Sequence, residues 1–334
     1  MSFIHLFTKK LRLSKPWKYK VPLIISLPAF FILVGDFKAE TALFSYIAAI
    51  VTTIGFAGIG YITNDLSDRK KDGLAGKDNV TAKLSIFPLI LITVLFLGLA
   101  LGPWFYLPLD RISIGLIAAE LLLFVLYAFP PFRLKEKGVI GLLADALYAH
   151  VVPAILASWT FFIAGGKEYE YMLPFLITLG IWQLVSGIRN ILSHQIKDYH
   201  NDLKSGISTY VTKRGLEGLE PKLRKYMMPL EVMLFIAIML FIQIEVTYLL
   251  PILSLYWLVA LYRFPKTIED KSETEFKHNT NVFLDNFYIK WLPTIIVSNG
   301  IFINMEIRYI LLIHIILFTP VISFAWKKIR KVIG

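Results

Sequence analysis

Two acidic clusters, Asn64-Asp65-Leu66-Ser67-Asp68-Arg69-Lys70-Lys71-Asp72 and Asp198-Tyr199-His200-Asn201-Asp202, each stand where a long apolar stretch gives out. Within each, a spacing of three or four residues predicts a shared helical face with Cβ atoms about 5–6 Å apart, so that side-chain oxygens converge. Crowded carboxylates repel one another, and left bare some take up protons. A hard divalent ion relieves that repulsion, and Mg2+ binds through one or two carboxylates while keeping water and substrate phosphate oxygens in its shell. The clusters therefore read as two halves of a site for a metal and a diphosphate. Each is followed by a basic stretch containing glycine, Asp72-Gly73-Leu74-Ala75-Gly76-Lys77 and Lys204-Ser205-Gly206, which suggests a weak internal duplication meeting at one cavity. A third segment belongs with them. Tyr127-Ala128-Phe129-Pro130-Pro131-Phe132-Arg133-Leu134-Lys135-Glu136-Lys137-Gly138 ends an apolar stretch with a proline pair, which halts a helix, and then presents cations.

Holding such residues at a membrane boundary takes helices. Of 334 residues, 56% are hydrophobic and 18% charged, with a mean hydropathy of +0.63, far too apolar for a soluble domain of this length. Runs near 21–35, 41–63, 84–107, 112–130, 138–165, 171–197, 226–246, 247–262, 284–304 and 308–326 are long enough, or nearly so, to cross a hydrocarbon layer of about 30 Å. The first and eighth are short and the joint near Glu245 is tight, so the expectation is an all-α integral membrane protein, a polytopic bundle of nine to ten transmembrane helices around a central cavity. The runs are continuous and lack the alternation that a membrane strand needs, which excludes a barrel. Residues 1–334 read as a single domain. No small-residue cleavage pattern follows Gly35, so the first apolar stretch reads as a retained helix. The absence of cysteine excludes disulfides, thiolate metal ligands and cysteine nucleophiles.

Orientation follows from Lys and Arg, which cytoplasmic loops hold in excess. With ten spans, about 29 of the 35 basic residues fall on the side of the amino terminus, against four, Lys38, Arg111, Lys167 and Arg308, on the other. The motif loops 64–83, 131–138 and 197–225, and both termini, are therefore expected in the cytoplasm. The net charge of +11 is mainly this topology signal; its counterpart is the anionic surface of a lipid bilayer rather than nucleic acid.

At these residues the chain resembles the UbiA superfamily of intramembrane prenyltransferases. The first cluster fits that family's Asn-Asp-x-x-Asp-x-x-x-Asp pattern and the second its Asp-x-x-x-Asp pattern. Tyr127 to Lys135 looks like its Tyr-Ser-x-Pro-Pro-x-Arg-Leu-Lys segment, with Ala128 in place of Ser. The resemblance covers roughly the first 225 residues. It implies Mg2+ held by Asn64, Asp65, Asp68 and Asp72 on one side and by Asp198 and Asp202 on the other, a prenyl diphosphate donor ionised to an allylic cation, and transfer to a lipid-soluble small molecule. It also implies a tunnel for the prenyl chain opening laterally to the bilayer. Arg133, Lys135 and Lys77 would contact diphosphate oxygens, Arg by a fixed fork and Lys as a point charge. Tyr127 would stabilise the cation or orient the leaving group, unless it is an interfacial aromatic. Many members follow the first motif with Arg-Pro, whereas this chain reads Gly76-Lys77-Asp78-Asn79. Lys77 replaces the charge without the bidentate geometry.

Other polar residues lie within apolar stretches. Asn190, His194, Asp198 and Asp202 follow at four-residue steps on one face, so Asn190 and His194 are candidate acceptor or diphosphate contacts, with an interhelical hydrogen bond as the alternative. Arg189, about 100° away on that helix, is expected to pair with a buried acid such as Glu120 or Asp145. Asp145 and Tyr148, a turn apart, are candidate acceptor contacts. Asp285 and Lys290 read as a structural pair or an interfacial position.

Other activities fit the same residues. A terpene cyclase on this scaffold would ionise the donor and let the donor's own double bond attack the cation, needing no acceptor. Phosphoribosyl transfer to a polyprenyl phosphate lacks a further sugar-phosphate signature. A transporter or cation channel fits intramembrane acids but not acids interleaved with Arg and Lys, which repel a free cation and attract phosphate. The orientation is directly testable in a chain without cysteine. In intact cells a membrane-impermeant thiol reagent is expected to label a Gly166→Cys variant and spare Lys70→Cys; the reverse pattern would overturn the topology.

Overall fold

The computed structural model describes residues 21–246 apart from 75, 77, 78, 167 and 205, residues 292–318 apart from 304, and the single residues Pro251, Ser254 and Tyr288. Lys77, Lys167, Asp285, Lys290, almost all of the span expected at 247–262, the loop 263–281 and both ends of the chain lie outside the described residues. No strand occurs among the described residues. The helices are α1 (Val21–Val34), α2 (Ala39–Leu74), α3 (Ile86–Leu101), α4 (Arg111–Ala128), α5 (Val139–Ala146), α6 (Val152–Gly165), α7 (Met172–Lys204), the short α8 (Tyr210–Arg214) and α9 (Leu219–Lys222), α10 (Met228–Gln243), α11 (Leu292–Ile303) and α12 (Arg308–Phe318). Six helical stretches are long and apolar enough to cross a membrane: α2, α3 with the turn after it, α4, the run from α5 through α6, α7, and α10 with the residues before it; α1 and α12 are shorter and apolar. The chain is an integral membrane protein. The expected total of nine to ten spans includes segments outside the described residues.

Two helices overrun the membrane. The 36 residues of α2 and 33 of α7 extend about 54 and 50 Å at 1.5 Å per residue, against about 30 Å of hydrocarbon. The acidic clusters therefore ride on overhanging helix rather than opening loops. The apolar runs stop near residues 63 and 197 because lipid stops there. The helices continue, because their internal hydrogen bonds serve equally well in water while Asp, Lys and Arg side chains are solvated.

At the centre, α2 packs against α1, α3 and α4. Its contact with α3 is backbone to backbone: a Cβ on Gly55 would stand 2.1 Å from the Ala100 amide nitrogen, and one on Gly58 would strike the Phe96 ring. Small residues permit such approach where lipid supplies no hydrophobic drive between helices. The outer face of α3 carries exposed Ile86, Phe87, Ile90, Leu91 and Val94, as a lipid-facing helix should.

The run expected as one helix over 138–165 is interrupted by a π-helical turn, Leu147–Val151, and a second π turn, Leu223–Met227, precedes α10. Each ends two residues before a proline, Pro153 and Pro229. Proline has no N–H to give and its ring crowds the carbonyl four residues back, so the preceding turn widens. The first widened turn carries Tyr148 and His150.

On the far side, α7 packs against α5 and α10. Arg189, 1% exposed, pairs with Glu231 of α10, 0% exposed, through Nε to Oε2 and through Nη2 to Oε1 at 3.1 Å. The partner is thus neither Glu120 nor Asp145: α10 lies against the Arg189 face of α7, a contact invisible to helical spacing within α7. At the other seam Tyr46 of α2 and His314 of α12 share a buried hydrogen bond of 2.8 Å. Glu231→Ala would take the bidentate carboxylate from a buried guanidinium and is expected to cost about 3–5 kcal/mol, whereas joint replacement by Arg189→Met and Glu231→Leu should recover most of it. Thermal unfolding of the detergent-solubilised protein reads both.

Candidate active site

The overhang of α2 turns two faces to two different partners. Asn64 and Asp65 are adjacent, hence about 100° apart on a helix, and the structure divides the motif accordingly. The side chains of Asn64, Ser67 and Asp68 meet the segment 129–138, while the Asp65 carbonyl and the Asp72 carboxylate accept from Asn79. Among the described residues no three Asp, Glu or His side chains come together as a metal-binding group.

The segment 129–138 leaves α4 through a cis Pro130-Pro131 bond, and Arg133 then takes a left-handed backbone with φ of 39°. Such a conformation is uncommon for a residue with a Cβ and persists only where its surroundings hold it. Here the guanidinium is the clamp. Its Nη2 donates to Asp68 Oδ1 at 2.8 Å, Nη1 donates to the carbonyls of Ser67 and Ala128 at 3.1 and 3.2 Å, and Nε donates to Glu136 Oε1. Glu136 is held in turn by Lys71 from α2. Burial works against the charge of Arg133, but Glu136 and Asp68 outweigh it and raise its pKa. Burial likewise works against the Glu136 carboxylate, and Lys71 and Arg133 overcome it and hold its pKa below the ordinary value.

Lys135 meets the same helix face. Its ammonium donates to Asp68 Oδ2 at 2.7 Å, Ser67 Oγ at 2.8 Å and Asn64 Oδ1 at 3.1 Å. Burial lowers its pKa, and the Asp68 carboxylate only partly offsets this. Both oxygens of Asp68 thus carry a cation, and three α2 side chains already form an oxygen cage around a positive charge.

Sequence reading passed over Asn79, buried at 3% exposure. Its Nδ2 donates to the Asp65 carbonyl and to Asp72 Oδ2, both at 2.7 Å, and its Oδ1 accepts from Thr81 Oγ1 at 2.8 Å and the Ala82 amide at 3.1 Å. One amide ties the α2 overhang to the following turn, in the stretch where the Arg-Pro pair is missing. Ser67, Lys71 and Glu136 are further participants that motif matching did not single out; only the Arg133-to-Glu136 spacing of three hinted at a pair.

Beneath Asn64 lies a cavity of about 210 Å³ walled by α1, α2, α4 and the α5–α6 run, and reaching Trp104 and Leu107 at the opposite end of the bundle. Its wall is mostly apolar, with Gly60, Phe56 and Phe124 prominent and a buried Glu120 part-way down. Tyr148 lines its upper part and donates to Asp145 Oδ1 at 2.8 Å. The Tyr148 ring packs on Phe124 and Tyr127, with centroids 5.3 and 4.9 Å apart. Tyr127, Asp145 and Tyr148 are therefore one cluster, and Tyr127 feels the charges of both Asp145 and Asp68. No residue of α7 lines this cavity. Asn190 is half-buried, His194 and Asp198 are exposed and Asp202 is buried. The Asp202 carbonyl accepts from the Ile207 amide at 2.9 Å, closing the turn after α7.

Asn79→Ala would strand buried partners at a cost of about 1–3 kcal/mol each. The expected outcome is a lower unfolding midpoint with faster amide exchange at Thr81–Leu84, a turn that Arg69 supports through Thr81.

Comparison with other proteins agrees with this architecture. A UbiA homolog from Archaeoglobus fulgidus bound to GPP and Mg2+ superposes with a TM-score of 0.55 at 18% identity, over 87% of this chain and 99% of its own. The same homolog bound to DMAPP and Mg2+ gives 0.55 at 17%, with the same coverage. A digeranylgeranylglyceryl phosphate synthase gives 0.50 at 14%, over 92% of this chain and all of its own. No curated protein sequence matches this one. Residues 25–286 match the family model of the UbiA prenyltransferases, and with the motif order and the fold they establish that this chain belongs to the UbiA prenyltransferase family.

Proposed function

We propose that the protein is a Mg2+-dependent intramembrane prenyltransferase that joins the prenyl group of a prenyl diphosphate to a small, lipid-soluble aromatic acceptor. One observation carries this reading: Asn64 belongs both to the oxygen cage around the Lys135 ammonium and to the wall of the long apolar cavity. Charge chemistry and an apolar tail thus meet at a single side chain. Support also comes from the related structures, which hold GPP or DMAPP with Mg2+.

The donor set fits the metal, since hard amide, hydroxyl and carboxylate oxygens at the α2 overhang already surround a cation. Asn64, Asp65, Asp68 and Asp72, with Asp198 and Asp202, would hold Mg2+, which supplies Lewis-acid charge to the departing diphosphate. Lys135 and Lys77 add direct contacts to its oxygens, and Arg133 fixes Asp68 from the side. The prenyl chain lies down the cavity past Gly60 and Phe56. Its allylic end sits by Tyr127, Tyr148 and Phe124, whose ring faces stabilise a cation by about 0.5–2 kcal/mol. Those walls also keep water from the cation. Asp145, through Tyr148, orients the acceptor beside that end, with Asn190 and His194 of the second-motif stripe as further acceptor contacts.

In this reading Asp65→Ala, Asp68→Ala, Asp198→Ala and Asp202→Ala each abolish turnover while the protein stays folded, and EDTA mimics them. Purified protein with radiolabelled prenyl diphosphates of several lengths, with and without aromatic acceptors, checks this. Turnover persisting in excess chelator sinks the metal assignment, and cyclised product from donor alone replaces transfer with cyclisation.

A further inference from the structure

Arg133 and Lys135 share one carboxylate but are held differently. Arg133 has four partners on three segments: Asp68 and the Ser67 carbonyl of α2, the Ala128 carbonyl at the end of α4, and Glu136, itself tied to Lys71. It cannot leave Asp68 without undoing the turn. Lys135 has Asn64, Ser67 and Asp68 alone, all side chains of the motif. Its ammonium sits on a flexible four-carbon stem and can swing away while the backbone stays.

Building on the proposed metal–diphosphate reading of this site, we propose that Lys135 is an internal counter-cation. It occupies the Asn64–Ser67–Asp68 oxygens in the substrate-free protein and yields them when metal and diphosphate arrive together, whereas Arg133 stays in place. The two cations thereby divide the work: Arg133 is a positioning residue, and Lys135 exchanges a carboxylate for the diphosphate. The physical consequence is ordered loading. A cation competing with an internal partner binds with its affinity reduced by the fraction of protein in which the oxygens are available. Diphosphate offers the ammonium another anion and so removes that reduction. The free site then stays closed to stray divalent ions and its acids stay neutralised.

The test is equilibrium binding of Mn2+, followed by its electron paramagnetic resonance signal, to the purified full-length protein with and without inorganic diphosphate. Wild type is expected to bind Mn2+ weakly alone and more tightly with diphosphate. Lys135→Gln should bind Mn2+ alone about tenfold more tightly than wild type, with the gain from diphosphate correspondingly smaller. Lys135→Met, which keeps the stem, gives the same comparison should the Gln variant not be stable. Lys70→Gln, at an exposed position on the same overhang, controls for general charge and should move the affinity far less. Unchanged or weaker Mn2+ binding by both Lys135 variants overturns the proposal, as does an equal gain in Lys70→Gln. If wild type fails to bind Mn2+ even with diphosphate, the metal–diphosphate reading itself falls.

Discussion

Charges drawn partly out of water at the edge of a membrane are costly unless paired, and here one alternating chain pairs them: Lys71, Glu136, Arg133, Asp68, Lys135. The α2 overhang has no hydrocarbon around it to press it against its neighbours. Its position is set by these charged hydrogen bonds, which are shorter and roughly twice as strong as neutral ones. They join α2 to the segment after α4, hold Arg133 in its left-handed conformation and bring Asn64 to the head of the cavity. Glu136, Arg133 and Asp68 each have opposite charge on both sides, so removing one leaves its neighbours poorly compensated.

Below that layer the physics changes. Inside the bilayer, helices gain nothing from hiding apolar surface from lipid, and they associate where small residues let them approach. Gly55 and Gly58 bring α3 hard against one face of α2, while Gly60, Ala57, Ala49 and two threonines leave room on another. One helix is thus a packing surface on one side and a cavity wall on the other. The widened turn before Pro153 carries Tyr148, which joins the cavity wall to Asp145. In the proposed function this arrangement would separate the task of gripping an anion at the rim from that of housing an apolar tail within.

Much of this was legible beforehand. Continuous apolar runs dictated helices, since no other open structure satisfies its backbone in lipid. The first motif and the cationic segment 129–138 marked two stretches that meet through Asn64, Ser67 and Asp68, whereas the hydrogen bond between Tyr148 and Asp145, read only as acceptor contacts, came from the structure. What could not be read was which face of each helix meets which neighbour. Asn79, which binds the Asp65 carbonyl and the Asp72 carboxylate, was an unanticipated partner of the first motif. Arg189 was known to need a buried acid, yet its partner lies on α10, 42 residues away. The helices also outlast the apolar runs, because hydrophobicity reports where lipid ends rather than where hydrogen bonding ends.

The sequence by itself therefore determined the class, the elements and the chemical inventory: an all-helical membrane protein of the UbiA family, with paired aspartate motifs and a cationic segment between them. Those properties follow from local composition and spacing, which need no knowledge of neighbours. Tertiary structure alone decided the pairing of charges, the different partners of Arg133 and Lys135 and the course of the cavity from Asn64 to Trp104. Each of these depends on the rotation and depth of one helix against another. Those quantities are set by close packing at glycines and by ion pairs distant in the chain, and neither leaves a periodic trace in the residues that form it.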